Sequence, residues 1–113
     1  MRYLILCYGD TAAEGALGAE ERRAIVARHV EFGRRLSERG ALVLGEALAA
    51  DAKVLRLDGE AQPLVTDGPF AETKEQLGGF YVLDCADLDE AVAWAQQVPR
   101  SPGLVVEVRP TAG

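Results

Sequence analysis

Cysteine, histidine and tryptophan are scarce in this chain of 113 residues, which has two cysteines, one histidine and one tryptophan. Cys7 and Cys85 are too few and too far apart in sequence for a disulfide framework or a zinc-ligand motif, so both are read as buried free thiols. Positive charge is also short. Twelve basic against eighteen acidic side chains leave a net charge of −6, the wrong sign for tracking phosphates, and nucleic acid is not expected as a partner. No apolar run approaches the roughly 20 residues of a membrane span, and the opening Met1-Arg2-Tyr3-Leu4-Ile5-Leu6-Cys7-Tyr8 is too short for a signal peptide's apolar core. No membrane association and a cytoplasmic location are expected. G-x-G-x-x-G, P-loop and H-E-x-x-H patterns are missing, which disfavours nucleotide and zinc enzymes, so neither a cofactor nor a metal site is expected.

What is present suits one globular domain over residues 1–113, with 49% hydrophobic and 27% charged side chains. Residues 2–8 form a nearly unbroken apolar run of strand length, ended by Gly9-Asp10. The spacing of Ile25, Phe32 and Leu36, with Val26, Val30 and Gly33 beside them, predicts a helix over about 19–39, closed by Gly40. A second strand is expected within 41–49. Lys53–Leu57 and Gln62–Thr66 flank Asp58-Gly59, a favoured hairpin turn, and Pro63 places that hairpin at a sheet edge. Gly79–Asp84 is the next strand. A helix follows from Asp87, with Leu88, Ala91, Val92, Ala95 and Val98 as its buried stripe and Trp94 at the border, and Pro99 stops it before a last strand over Leu104–Arg109.

The order β-α-β, hairpin, β-α-β matches a ferredoxin-like split βαβ plan with an inserted hairpin: an α+β fold with both helices on one face of an antiparallel sheet. Because the strands are apolar on both sides and no third helix is expected, a homodimer joined through the bare sheet faces follows. Cys7 and Cys85 are expected to be neighbours, near the ends of adjacent parallel strands.

His29 lies four residues after Ile25 and three before Phe32, on the apolar stripe of the first helix. It is either a core histidine bonded to a backbone carbonyl or a functional imidazole, and the second role needs an acidic partner. Asp67, in Thr66-Asp67-Gly68-Pro69-Phe70, is the candidate partner, its other reading being a turn residue that caps its own backbone. From Ala71 to Gly78 a loop is expected, in which Lys74 pairs with an anionic ligand group or is neutralised by Glu72 and Glu75. Gly68, Pro69, Phe70 and Lys74 are the candidate substrate contacts.

The stretch Val65-Thr66-Asp67-Gly68-Pro69-Phe70-Ala71-Glu72-Thr73-Lys74-Glu75-Gln76-Leu77-Gly78-Gly79-Phe80 resembles the signature of the DGPF-domain proteins of the YCII-related group. The likeness extends to Arg2–Asp10, Asp87–Ala91 and Val106–Pro110. It implies a ferredoxin-like unit pairing into a dimeric α/β barrel, and an acid–base dyad, here His29 and Asp67, acting on a small molecule. DGPF-type proteins resembling this one are encoded beside, or fused to, alternative sigma factors, which implies as the alternative a non-catalytic regulatory module.

Overall fold

Alternation along the first strand sets the architecture. A computed structural model describes residues 1–70 and 75–113, and in it β1 (Arg2–Asp10) turns Tyr3 and Ile5 into the core while Leu4, Leu6 and Tyr8 occupy the opposite face. β1 is one of the two inner strands of a four-stranded antiparallel sheet in the order β2-β5-β1-β6, completed by β2 (Leu42–Ala47), β5 (Glu75–Asp84) and β6 (Val105–Pro110). Register carries the same division across the sheet. Tyr3 and Ile5 face Leu83 and Tyr81, and Cys7 faces Gly79, whereas Leu4 and Leu6 lie opposite Val82 and Phe80.

Between β1 and β2 stand a single helical turn, α1 (Thr11–Gly15), and the long α2 (Ala19–Glu38). Asp10 caps α1 by accepting from the Ala13 N–H. Glu20 and Glu21 suit the positive end of α2, and Gly40, at φ +69°, closes it. The Ala41 N–H reaches back to the Leu36 carbonyl at 2.9 Å and the Gly40 N–H to that of Ser37 at 3.0 Å, a closure in which a side chain at position 40 would be strained. α3 (Leu88–Ala95) starts at Asp87, whose carboxylate accepts from the Glu90 N–H at 2.9 Å. Phe32 and Leu36 of α2 and Ala91 and Ala95 of α3 meet Tyr3, Ile5, Leu83 and Val98 in the core. The result is an α+β fold, with α2 and α3 on the same side of an antiparallel sheet.

Several expectations need correction. The chain has a third helix, although α1 is only five residues long and covers no sheet face. Gly9 and Asp10 continue β1, and β5 begins at Glu75, so residues 75–78 are strand where a loop was expected; a bulge after Cys7 absorbs Gly78. Leu88 and Val92 are exposed on α3, and Val26 and Val30 are exposed on α2, because one helix face meets the sheet along a narrower strip than the apolar residues occupy. The hairpin is a separate two-stranded ribbon: β3 (Lys53–Leu55) pairs with β4 (Val65–Asp67), and Asp58-Gly59 and Pro63 lie in the long loop between them. Cys7 and Cys85 are not neighbours. β1 and β5 run antiparallel, the Cys85 N–H bonds to the Met1 carbonyl, and Cys7 faces Gly79, so the two thiols stand at opposite ends of the strand pair, about 20 Å apart at the usual rise. Both are free, Cys85 buried and Cys7 half-buried.

Among the described residues, no helix is long and apolar enough to cross a membrane.

Candidate functional site

The helix–sheet layer is dense at one end and open at the other. At the dense end Phe32 and Leu36 are fully buried. One turn towards the start of α2, Ile25 and His29 are only half-buried, and on the helix-facing side of the sheet the register sets Cys7 opposite Gly79 and Gly45 opposite Tyr81. A Cβ built on Gly45 would come within 2.7 Å of the Tyr81 ring, so the glycine is what allows that ring to lie across its neighbour strand.

Tyr81 links the two ends. Its ring meets Phe32 edge-on, with centroids 5.2 Å apart, and lies nearly parallel to the His29 imidazole at 6.1 Å. Its hydroxyl is 2.6 Å from His29 Nδ1, a short hydrogen bond between half-buried partners. Burial, and secondarily the Arg28 guanidinium, hold the His29 pKa below its ordinary value and favour the neutral imidazole. Burial pushes the Tyr81 phenol up to about 12, and the nearby Cys7 adds to this; the Cys7 thiol is itself pushed up by burial to about 11. At neutral pH this end of the layer therefore holds a neutral imidazole, a phenol and a thiol, all protonated or uncharged. Such a group of side chains suits proton transfer better than nucleophilic attack, since a thiol with a raised pKa is a poor nucleophile.

Asp67 stands elsewhere. It ends β4 on the two-stranded ribbon, faces Lys53 in the pairing register and forms an ion pair with it, with the two side chains 84% and 70% exposed. Among the described residues no hydrogen bond joins His29 to Asp67; each has a different partner. The Gly68 N–H donates to the Ala52 carbonyl at 2.8 Å, and the Gly68–Pro69 peptide is cis. Phe70 is exposed, with the Arg56 guanidinium 5.4 Å from its ring centre. Lys74 lies outside the described residues.

Sequence reasoning missed Tyr81 and Lys53. The signal for Tyr81 was available, since alternation in Gly79-Phe80-Tyr81-Val82-Leu83 puts Tyr81 on the same face as the buried Leu83. A groove of about 410 Å³ between α2 and α3 is lined by Arg34, Arg35, Glu38, Arg39, Trp94 and Gln97. Its cations are largely engaged, Arg34 with Glu31 and Glu38 and Arg35 with Gln97. Among the described residues no cluster of His, Cys, Asp and Glu is arranged to hold a metal ion.

The model of the YCII-related domain matches residues 1–111. The chain belongs to the YCII-related family. An uncharacterized protein of Rhizobium meliloti (strain 1021) is 36% identical over 115 residues, covering 99% of this chain and 93% of the relative. In this YCII-related chain the lone histidine sits where helix meets sheet, held by a tyrosine from the strand beneath it.

Proposed function

We infer that this YCII-related protein binds a small organic molecule at the open end of the helix–sheet layer and acts on it by acid–base chemistry. The observation that carries the reading is the 2.6 Å hydrogen bond between His29 Nδ1 and the Tyr81 hydroxyl, whose ring takes the space a side chain on Gly45 would need. In this reading the phenol donates to Nδ1, which leaves the ring proton on Nε2 and fixes the tautomer. The expected dyad then becomes a relay, because the nitrogen intended for the substrate is already occupied: as the bound molecule gives its proton to the Tyr81 oxygen, the phenolic proton passes to Nδ1, and Asp67, once released from its ion pair with Lys53, would accept from Nε2–H of the imidazolium. The expected contacts of Gly68, Pro69 and Phe70 with the bound molecule belong to the same reading.

The reading includes a homodimer. The strand order β2-β5-β1-β6 supports a ferredoxin-like unit, and the sheet face opposite the helices carries Leu4, Leu6, Tyr8, Phe80, Val82 and Leu44, with no helix over it among the described residues. Two such faces packed together give the dimeric barrel, in a cytoplasmic protein.

The test is a fragment screen followed by NMR on the imidazole of the only histidine. Fragments that shift the His29 signal of the native protein and lose affinity for Tyr81→Phe support the site. If every hit binds the arginine-lined groove, or none binds at all, the site reading fails. Capture of a sigma factor by the intact protein, with no fragment at His29, would put the regulatory-module reading first.

A further inference from the structure

The groove of about 410 Å³ between α2 and α3 shares no lining residue with the His29–Tyr81 end, and its volume lies in the range that holds a small organic ligand. Its wall gathers the chain's only tryptophan and three of its twelve basic side chains, on a protein whose net charge is −6. Trp94 is half-buried, its ring edge-on to Phe32 with centroids 6.2 Å apart. The core therefore fixes the indole plane while part of the ring stays open to the groove.

The three guanidiniums are not equivalent. Arg34 is paired with both Glu31 and Glu38. Arg35 lies 5.8 Å from the Phe32 ring centre and donates at 2.7 Å to the side-chain oxygen of Gln97, a neutral partner, so it is held in place and keeps its charge. That bond uses the Gln97 oxygen and leaves the amide nitrogen as a donor. Arg39, one turn beyond Arg35, is exposed and has no side-chain hydrogen bond or ion pair among the described residues. Both stand at the end of α2 where the helix dipole favours a cation. Three guanidiniums against Glu31 and Glu38 leave one positive charge in excess.

One excess charge beside an aromatic wall specifies a monoanion with a flat apolar body. A dianion would bring its second charge against Glu38, which lines the same groove, and a small inorganic anion would leave Trp94 unused. We propose that this groove binds a small aromatic monocarboxylate, its carboxylate taken by Arg35, Arg39 and the Gln97 amide and its ring laid against Trp94. Arg35, fixed from beneath by Phe32 and from the side by Gln97, is the preorganised donor, and Arg39 closes on the carboxylate from the helix end. Glu38 selects against more highly charged acids. The site is separate from the one at His29 and does not depend on it.

The experiment uses benzoate as the probe and the indole N–H of Trp94, the only one in the chain, as the reporter in ¹⁵N NMR of the intact protein. Benzoate is expected to shift that signal saturably. Benzamide keeps the shape without the charge and acetate the charge without the ring, and each should bind at least about tenfold more weakly. Arg39→Gln should weaken benzoate by about the same factor, whereas Arg109→Gln, at an exposed position on β6, should leave it unchanged. Benzamide binding as tightly as benzoate, phenyl phosphate binding more tightly, Arg39→Gln without effect, or a Trp94 signal that never saturates would each overturn the proposal. Benzoate that moves the His29 signal alone overturns the groove and leaves the His29 reading standing.

Discussion

The two ends of the helix–sheet layer differ in what fills them, although the same helix and the same strands run through both. At one end α2 lays Phe32 and Leu36 into one buried cluster with Tyr3, Ile5 and Leu83. At the other end the same stripe continues back to His29 and Ile25, and these two, like the Tyr81 that holds the imidazole and the Cys7 near it, are only half-buried. Burial at the first end holds the fold. At the second it is partial, which shifts pKa values without excluding solvent or ligand.

The contrast is broken most severely at the dense end. Phe32→Ala removes a fully buried ring that packs against both Tyr81 and Trp94, and is expected to cost about 3–5 kcal/mol in urea unfolding. A loss well under 2 kcal/mol would mean that the two ends are not distinct. Filling the open end is the next test. Gly45→Val drives methyl groups into the Tyr81 ring and should cost about 1–3 kcal/mol while displacing the tyrosine from His29, seen as a changed imidazole signal.

Removing the hydroxyl alone sharpens the comparison. Tyr81→Phe keeps the packing against Phe32 and deletes the bond to His29, for an expected loss of about 1 kcal/mol. The imidazole should then titrate at higher pH, since a donor to its neutral form has gone. The native protein makes the same point through pH. The folded-state pKa of His29 lies below the ordinary 6.5, so the unfolded chain binds more protons as pH falls through the interval between the two values. The stability associated with a neutral His29 is complete above pH 6.5 and is lost as pH falls through the folded-state value; His29→Gln should flatten that part of the stability profile. The smallest effect belongs to the ribbon. Lys53→Ala breaks only an exposed ion pair and should change stability by a few tenths of a kcal/mol, measured by the same unfolding curves.

Much of the fold was legible because local signals agreed with one another. Gly40, the acid-led start of α2 and the Asp87 cap fall where the periodic patterns end, and each satisfies backbone groups that the helix itself leaves open. Periodicity failed where it had to predict width. Val26, Val30, Leu88 and Val92 are apolar and in phase, yet a helix touches a sheet along a strip, and apolar residues beside the strip stay exposed until something else covers them. The ribbon was misplaced for a related reason: alternation marks a strand but says nothing about which sheet it joins.

The site was legible in part. His29 was singled out by its place on the apolar stripe, and that placement holds. Its partner in the chain is Tyr81, 52 residues away, and no local pattern encodes a contact between a helix and the third strand of the main sheet.

The amino-acid sequence alone determined the elements: strand length and alternation, helix period, caps and the glycine that ends α2, because each is governed by residues within a few positions of one another. Register and pairing were decided only in three dimensions. The antiparallel run of β1 against β5 separates the two cysteines, and the ribbon's independence from the main sheet sets Asp67 away from its expected partner, because these are outcomes of which distant strands share hydrogen bonds. The hydrogen bond between His29 and Tyr81 belongs to the same class: it exists because a glycine on a neighbouring strand leaves room for a ring, a condition met between strands and not along them.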